Sequence, residues 1–285
     1  MSQAQSIQKK KKQLSLLHFY PDLLNLYGDY GNILAIQRRA EWRGIEVEIA
    51  RVDLDSPLDL DIKDYDIAFI GGGQDRQQVK VADDFLARKE KITEAVDDGL
   101  VILAICGGYQ LLGKHYESSE GEQIPGLGIL DLETQAQGRK SAEKQKRLIG
   151  NLSATLKKPF RIQDYLRGNL DPSIYQNSIY ACDTLVGFEN HSGQTYIHAG
   201  EEIDALAKVI QGNGNNLIDK LEGVLYKNIF GTYLHGSLLP KNPHLVDELI
   251  FRALDRRGEQ LSIEEWLSLD NSFEFQAHKK AMSLR

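Results

Sequence analysis

The chain has 285 residues, 41% of them hydrophobic, so it is long enough for one sizeable α/β domain. Its 34 basic and 41 acidic side chains give a net charge of −7, which argues against general nucleic-acid binding. No apolar stretch approaches the roughly 18 residues that cross a bilayer, and two cysteines are too few for a disulfide framework, so a reducing cytoplasm is expected.

The polar segment 1–13 carries lysines at positions 9 to 12 and is followed by no apolar signal core. We predict that it is a disordered tail and that residues 14–285 form a single domain.

Apolar runs alternate with helical periodicity through the first 105 residues. Strands are predicted at 14–19, 45–52, 64–70 and 101–105, with helices at 32–43 and 79–98. This order predicts an α/β fold with an open, mostly parallel, flavodoxin-like sheet and helices on both faces. In such sheets the ligand site lies beyond the carboxyl ends of the strands.

The pattern changes after residue 124. Short β-like runs at 128–132, 148–156, 195–199, 207–211 and 224–233 predict an antiparallel extension of the sheet, and helices are predicted at 243–257, 263–267 and 273–282. The segment 157–183 has no clear period and is interpreted as an insertion. Residues 139–161 contain eight Lys or Arg against one acid, which indicates either a solvated excursion or a basic face for an anionic substrate or partner.

Cys106 ends the apolar run VILAI and precedes two glycines, Gly107 and Gly108. A nucleophile on such a strand-turn-helix corner is exposed above the sheet at a helix N-terminus, where backbone N–H groups can stabilise an oxyanion. The other cysteine, Cys182, has no glycine corner and is interpreted as an ordinary half-buried residue.

A cysteine nucleophile needs a base. His235 also follows an apolar strand and meets a glycine, Gly236, so it is the first candidate. His191, in the string GFENH, is the second. The spacing of the residues alone does not decide which of the two histidines is the base.

The string CGGYQ at 106–110 resembles the nucleophile elbow of class I (triad-type) glutamine amidotransferases. The string GTYLHG at 231–236 resembles the histidine motif of their cobyric-acid-synthase-like branch. Further strings, in the same order, resemble one subgroup of that branch: YPDL at 20–23, LYGDYGN at 26–32, GGGQDR at 71–76, GLG at 126–128, RLIG at 147–150, GFENH at 187–191 and GNGNN at 212–216.

The resemblance implies a glutaminase subunit in a heterodimer. It would hydrolyse L-glutamine through a cysteine thioester and pass ammonia to an ATP-dependent, Mur-ligase-like (MurT-type) partner. That partner would amidate the glutamate α-carboxylate of lipid II to isoglutamine during peptidoglycan synthesis. No cofactor or metal is expected on this chain, which lacks a Gly-x-x-x-x-Gly-Lys-Ser/Thr loop. ATP and magnesium are expected on the partner. A cytoplasmic protein with peripheral proximity to lipid II is implied.

By the same resemblance, Cys106 attacks the glutamine amide, and His235 takes its proton and later protonates the leaving ammonia. Backbone N–H groups of Gly107 and of the Gly72-Gly73 loop would form the oxyanion hole.

Two side chains would bind the substrate. Gln110 matches the glutamine of the class elbow. Arg147 matches the family arginine that anchors the substrate carboxylate, for which a guanidinium is well suited because it binds carboxylates bidentately. The alternative for Arg147 is one more charge in a basic stretch.

One departure concerns the orienting acid, which most class I members carry two residues after the histidine. That position is Ser237 here. We therefore hypothesise that the synthetase partner supplies the acid across an interface.

Three other functions remain open. The first is the same chemistry serving a corrinoid or another acceptor, which would usually need a fused synthetase domain. The second is a stand-alone cysteine hydrolase acting on another amide or ester. The third is a regulatory binding module without catalysis, which the combination of Cys106, Gln110 and His235 disfavours.

Overall fold

The computed structural model describes residues 12–118, 120–136, 147–198, 200 and 202–284. Most of the predicted tail and the most basic part of 139–161 lie outside these residues. The first strand begins at Lys12, so the prediction of a disordered tail is wrong for residues 12 and 13.

The strands in chain order are β1 (Lys12–Phe19), β2 (Ile45–Val52), β3 (Ile67–Ile70), β4 (Val101–Ile105), β5 (His115–Glu117), β6 (Gln123–Pro125), β7 (Leu132–Ala136), β8 (Leu148–Leu156), β9 (Thr184–His191), β10 (Gly193–Ile197), β11 (Ile203–Asp204), β12 (Ala207–Gln211), β13 (Leu221–Glu222), β14 (Val224–Tyr226) and β15 (Ile229–Thr232). The helices are α1 (Tyr30–Glu41), α2 (Asp75–Ala87), α3 (Lys89–Asp97), α4 (Gly107–Leu112), α5 (Arg161–Asn169), α6 (Pro172–Gln176), α7 (Pro243–Arg256), α8 (Ile263–Leu267) and α9 (Ser272–Met282).

The central sheet has the strand order β11-β14-β15-β4-β3-β1-β2. The five strands from β15 to β2 are parallel, and β14 and β11 add antiparallel strands at one edge. Strand β4 is buried along its whole length, which explains its uninterrupted apolar sequence. The predicted α/β class and mostly parallel sheet are confirmed.

The remaining strands form two separate four-stranded sheets, in the orders β10-β7-β5-β6 and β13-β12-β8-β9. The prediction that the runs at 148–156, 195–199 and 207–211 extend the central sheet is therefore wrong. Among the strands that the structure describes, β14 and β11 extend it. Strand β8 pairs along its length with β9, which fixes it in its own sheet. The run predicted at 128–132 reaches strand geometry only at Leu132.

Two further elements differ from prediction. The helix expected at 79–98 is two helices, α2 and α3, that meet at Arg88. The segment 157–183, in which no clear period was predicted, contains α5 and α6, and α5 packs against α7. Its interpretation as an insertion stays a prediction.

Buried apolar side chains from Leu14 to Trp266 form one contiguous core. The carboxyl ends of β3, β4 and β15 are adjacent at one rim of the central sheet, and Gly71, Cys106 and Tyr233 follow directly. Across the described ranges, no helix combines the length and apolar character needed to traverse a bilayer.

Candidate active site

Cys106 occupies the corner between β4 and α4. Its backbone has φ 49° and ψ −102°, a sparsely populated conformation for a residue with a side chain. Its N–H donates to the carbonyl of Thr232 at 2.8 Å, which ties the corner to the neighbouring strand β15. The thiol is 7% exposed and lines a cavity. The predicted nucleophile therefore lies on a strained elbow, as its sequence indicated.

His235 lies on the adjacent corner, three residues after β15. Its backbone exchanges two hydrogen bonds with Phe188, and its side chain is fully buried. Burial alone would disfavour a charged ring, but the interactions with Cys106 and with the Asp29 carboxylate outweigh it and raise the pKa of His235 to about 10. The environment therefore favours a protonated imidazolium at His235.

Asp29 is a site residue for which the sequence motifs predicted no role. It lies in the turn before α1 and is fully buried. Its Oδ1 is 3.5 Å from Nδ1 of His235, while its Oδ2 accepts a 2.8 Å hydrogen bond from the N–H of Gly72. Within the described part of the chain, neither Oδ1 nor the ring nitrogens of His235 have a better-formed hydrogen bond.

The glycine amides expected to form the oxyanion hole fall into two groups. The N–H of Gly72 is engaged by Asp29. The N–H groups of Gly73 and Gly107 donate to no acceptor among the described residues, and these two glycines are in close contact, since a Cβ on Gly107 would lie 2.8 Å from the nitrogen of Gly73. Gly73 and Gly107 are therefore the available donors in this arrangement.

A cavity of about 530 Å³ opens over Cys106. Arg147 lies at its edge, where Nε donates to Asn190 Oδ1 at 2.9 Å and Nη2 donates to the Asn190 carbonyl at 3.0 Å. A guanidinium and the nucleophile thus face the same space. The other lining side chains include two acids and a second arginine: Asp75, Arg76, Glu120, Gln110, Tyr116 and His191.

Gln110 is buried in the wall of this cavity. Its Oε1 accepts from Gln78 at 2.9 Å, and its Nε2 donates to the Tyr233 hydroxyl at 3.1 Å. These contacts fix the side chain in place. Its predicted contact with the substrate stays a prediction.

His191, the second candidate base, belongs to the cavity wall as well. Its Nδ1 is 2.7 Å from the Gly193 carbonyl, and its ring stacks on Tyr233 with centroids 3.7 Å apart. Its Nε2 is 3.8 Å from Glu189. Both histidines have a buried carboxylate beside them, but Cys106 interacts with His235, which favours His235 as the base.

Tyr27 covers the catalytic corner from the solvent side. Its ring packs edge-on against the imidazole of His235, with centroids 5.0 Å apart, and its hydroxyl accepts from Asn190 at 2.7 Å. Asn190 in turn binds Arg147. Hydrogen bonds through Asn190 therefore connect Tyr27, which packs on His235, to Arg147 at the cavity edge.

The elbow, base and cavity are those of a glutamine amidotransferase, and comparison with known families agrees. The model of the CobB/CobQ-like glutamine amidotransferase domain matches residues 15–243, and the chain belongs to this family.

Within it, the chain is 38% identical over 265 residues to the lipid II isoglutaminyl synthase (glutamine-hydrolyzing) subunit GatD of Staphylococcus aureus, covering 93% of each chain. It is also 38% identical over 248 residues to GatD of Streptococcus pneumoniae, covering 87% of this chain and 83% of that protein. The glutaminase domain of Trypanosoma brucei CTPS, solved with bound acivicin, has the same fold, with a TM-score of 0.52 at 12% identity over 87% of this chain and 96% of that one.

Proposed function

We propose that this chain is the glutaminase subunit of a lipid II isoglutaminyl synthase. The observation that supports this most strongly is the similarity to GatD over 93% of both chains, together with Cys106 on a strained corner beside a buried, proton-holding histidine. The chain also contains the cavity and the guanidinium that a glutamine side chain and its carboxylate require.

In the proposed reaction, the Cys106 sulfur attacks the amide carbon of glutamine. The oxyanion formed there accepts hydrogen bonds from the N–H groups of Gly73 and Gly107, each worth on the order of 3 kcal/mol in the transition state. His235 gives its proton to the departing nitrogen, the C–N bond breaks, and ammonia leaves. The acyl group stays on the Cys106 sulfur as a γ-glutamyl thioester. Water, deprotonated by the now neutral His235, then hydrolyses the thioester to glutamate and the free thiol.

Arg147 anchors the α-carboxylate of glutamine at the cavity edge. Its two hydrogen bonds to Asn190 hold the guanidinium in orientation and leave Nη1 without a described partner. Gln110 forms part of the wall that the substrate side chain meets.

The ammonia is passed to a second subunit, a Mur-ligase-like (MurT-type) synthetase that holds ATP and magnesium. The acceptor is the glutamate α-carboxylate of lipid II, and the complex works in the cytoplasm. The second subunit and the lipid II acceptor are proposed from the names of the similar proteins, whereas the Mur-ligase-like type of the partner, its ATP and its magnesium are proposed from the resemblance of the sequence motifs. No cofactor or metal is assigned to this chain.

The first experiment tests glutamine hydrolysis. The full chain with its synthetase partner should release glutamate and ammonia from L-glutamine, and Cys106→Ser should reduce kcat by about 10³-fold or more. A glutamine-analogue electrophile should label Cys106. Cys182→Ser serves as the matched thiol control, because the sulfur of Cys182 contacts Thr184 and His278 and that residue does not line the cavity over Cys106. Turnover of generic esters without glutamine hydrolysis would favour a stand-alone hydrolase instead.

The second experiment tests the acceptor. The reconstituted complex, with ATP and magnesium, should convert lipid II to its isoglutamine form. Amidation of a corrinoid acid but not of lipid II would support the alternative acceptor and overturn the peptidoglycan assignment.

A further inference from the structure

The cavity over Cys106 has to receive a zwitterion, because free glutamine carries an α-ammonium group as well as an α-carboxylate. Arg147 supplies a positive charge at the cavity edge for the carboxylate. An ammonium group that leaves water needs a hydrogen-bond acceptor in the protein, and a carboxylate is the strongest one available. Among the described residues that line this cavity, the carboxylates are those of Asp75 and Glu120.

Asp75 is the better placed of these two acids. It is the first residue of α2 and follows two positions after Gly73, one of the proposed oxyanion donors, so the reaction centre and this carboxylate share one turn of the chain. Its side chain is half-buried, whereas Glu120 is exposed. A hydrogen bond between charged groups is stronger where water is partly excluded, so the half-buried carboxylate gains more from an ammonium partner.

A buried tyrosine fixes the carboxylate of Asp75. Tyr116 on β5 is 2% exposed, and its hydroxyl donates to Oδ1 of Asp75 at 2.9 Å. Burial, and then the negative charge of Asp75, raise the pKa of Tyr116, so its hydroxyl stays protonated. A neutral donor of this kind orients the carboxylate without neutralising its charge.

The end of β9 and the turn after it hold both charged groups of this cavity. The side chain of Ser192 hydrogen-bonds to the hydroxyl of Tyr116, which binds Asp75. Asn190, two residues earlier, accepts from Arg147 through its side chain and its carbonyl. The guanidinium and the carboxylate are therefore tied to the same short stretch of chain. A cation and an anion in a fixed relation match the two charged groups on the α-carbon of an amino acid.

We propose that Asp75 is a specificity-determining residue that accepts a hydrogen bond from the α-ammonium group of glutamine, and that Tyr116 orients its carboxylate for this contact. The inference deepens the proposed glutaminase function and rests on it. Its consequence is a preference for free L-glutamine over a glutamine whose α-nitrogen is missing or bound in a peptide, because the half-buried carboxylate then loses a charged partner.

The experiment compares two amides, using the full chain in complex with its synthetase partner. Glutaramate has the carboxamide and the carboxylate of glutamine but no α-nitrogen. The wild type should prefer L-glutamine over glutaramate in kcat/KM by about 10 to 100-fold, the range for a hydrogen bond to a charged group. Asp75→Asn should lower kcat/KM for L-glutamine by a similar factor, mainly through KM, without lowering kcat/KM for glutaramate.

A merely structural role for Asp75 would lower the turnover of both amides alike, and that result overturns the proposal. A wild type that turns over the two amides equally well overturns it too, and this measurement needs no variant.

Tyr116→Phe serves as a second variant in case Asp75→Asn fails to fold. It keeps the ring and the charge of Asp75 but removes the orienting hydroxyl. KM for L-glutamine should rise by about 3 to 10-fold, the effect of losing one neutral hydrogen bond, while KM for glutaramate stays at the wild-type value. An equal rise for both amides would count against the orienting contact.

Asp97→Asn is the matched control, since Asp97 is 62% exposed, pairs with Lys227 and does not line the cavity. It should leave the kinetics of both amides unchanged. If Glu120→Gln removes the preference for L-glutamine and Asp75→Asn does not, the ammonium group binds at Glu120 and the assignment to Asp75 is wrong.

The two amides also separate this inference from the proposed function. A complex that hydrolyses neither amide would refute the proposed glutaminase function and the inference with it. A complex that hydrolyses L-glutamine, and whose preference over glutaramate is unchanged in Asp75→Asn, would refute the inference alone.

Discussion

Gly72 is enclosed by the groups that the proposed reaction uses. A Cβ on this residue would lie 2.8 Å from Cε1 of His235 and 3.2 Å from Oδ2 of Asp29. Both neighbours are fully buried, so a shift of either one disturbs the packing around it. We predict that Gly72→Ala displaces the imidazole from Cys106 and lowers kcat for glutamine hydrolysis by about 10²-fold, because small misplacements of catalytic groups have effects of that size.

Gly150→Ala is the matched control for this substitution. No described atom lies within 4 Å of a Cβ on Gly150, so the added methyl group meets open space. The control should keep wild-type kcat, and steady-state kinetics on the two variants make the comparison. Full activity of Gly72→Ala would show that the imidazole tolerates displacement.

Among single residues, the sequence predicts the site residues that are marked by their immediate neighbours in the chain. Cys106 and His235 each follow an apolar strand and precede a glycine, and that pattern is visible within a few residues. The place of Asp29 in the site was hidden because it depends on a contact with His235, which is far away in the chain. Its flanking glycines, Gly28 and Gly31, were a signal of close backbone approach, but they do not reveal what the turn approaches.

The turn before α1 and the segment after β15 fit together through a close contact. The Cβ of an alanine at position 31 would clash with the hydroxyl of Ser237 and lie 3.0 Å from its Cβ. We predict that Gly31→Ala lowers the free energy of unfolding by about 1–3 kcal/mol, the usual range for overpacking, and impairs glutaminase activity by moving Asp29.

Ser237→Gly should relieve this clash in a double variant. Ser237 has φ 49°, a conformation that glycine adopts readily, so removing its side chain does not strain the backbone. Urea denaturation of the two single variants and the double variant would measure the coupling. Strict additivity of the two changes in free energy would contradict the predicted contact.

Helices α1 and α7 are joined by a buried cluster of charges. Asp247 is fully buried and accepts hydrogen bonds from Arg39, Arg43 and the hydroxyl of Tyr180. Burial would raise the pKa of Asp247, but the two guanidinium groups outweigh it and hold that pKa below its ordinary value. We predict that Asp247→Asn lowers the free energy of unfolding by about 3–5 kcal/mol, because it removes the carboxylate paired with Arg43 and leaves Arg39 only its longer, 3.7 Å pair with Glu274.

The matched control is Asp164→Asn on α5. Asp164 is 58% exposed. Among the described residues its one ion pair is with Arg167, which lies one turn further along the same helix. Exposed pairs of this kind contribute about 0–1 kcal/mol, so urea denaturation should show little change. Equal effects of the two substitutions would contradict the stabilising role of the buried cluster.

The local sequence is not sufficient to predict every helix boundary or the sheet that each strand joins. The apolar period through 79–98 predicts one helix, yet the chain breaks at Arg88. That side chain is buried and donates to the carbonyls of Ser56 and Pro57, which no local pattern reveals. Strands β2, β4, β8 and β12 have the predicted bounds because apolar runs and glycines define them, but which sheet each joins depends on distant partners.

At the scale of the whole molecule, the active site depends on the assembled sheet. The nucleophile follows β4, the base follows β15, the glycine loop follows β3, and Asp29 comes from the turn that follows β1. These strands are neighbours only in the folded sheet. Activity should therefore be lost when the sheet unfolds. A pH change that lowers the stability of the sheet should lower activity as well.

Glu222 gives the molecule a specific dependence of stability on pH. Its carboxyl group is fully buried; Oε1 accepts from the Thr232 hydroxyl and the Tyr233 N–H, whereas Oε2 has no described partner. Burial outweighs these two hydrogen bonds and raises the pKa of Glu222 from 4.5 to about 7. Between these values the native state keeps a proton that the unfolded state has lost.

It follows that the free energy of unfolding falls as pH rises through this window, by up to roughly 3 kcal/mol for a shift of this size. Glu222→Gln cannot ionise, so it should gain stability relative to the wild type by that amount between pH 4.5 and pH 8. Urea denaturation at several pH values would measure the difference, with Glu94→Gln as the control because Glu94 is 62% exposed. A difference between Glu222→Gln and wild type that does not change with pH would mean that Glu222 is already ionised in the native protein at pH 5.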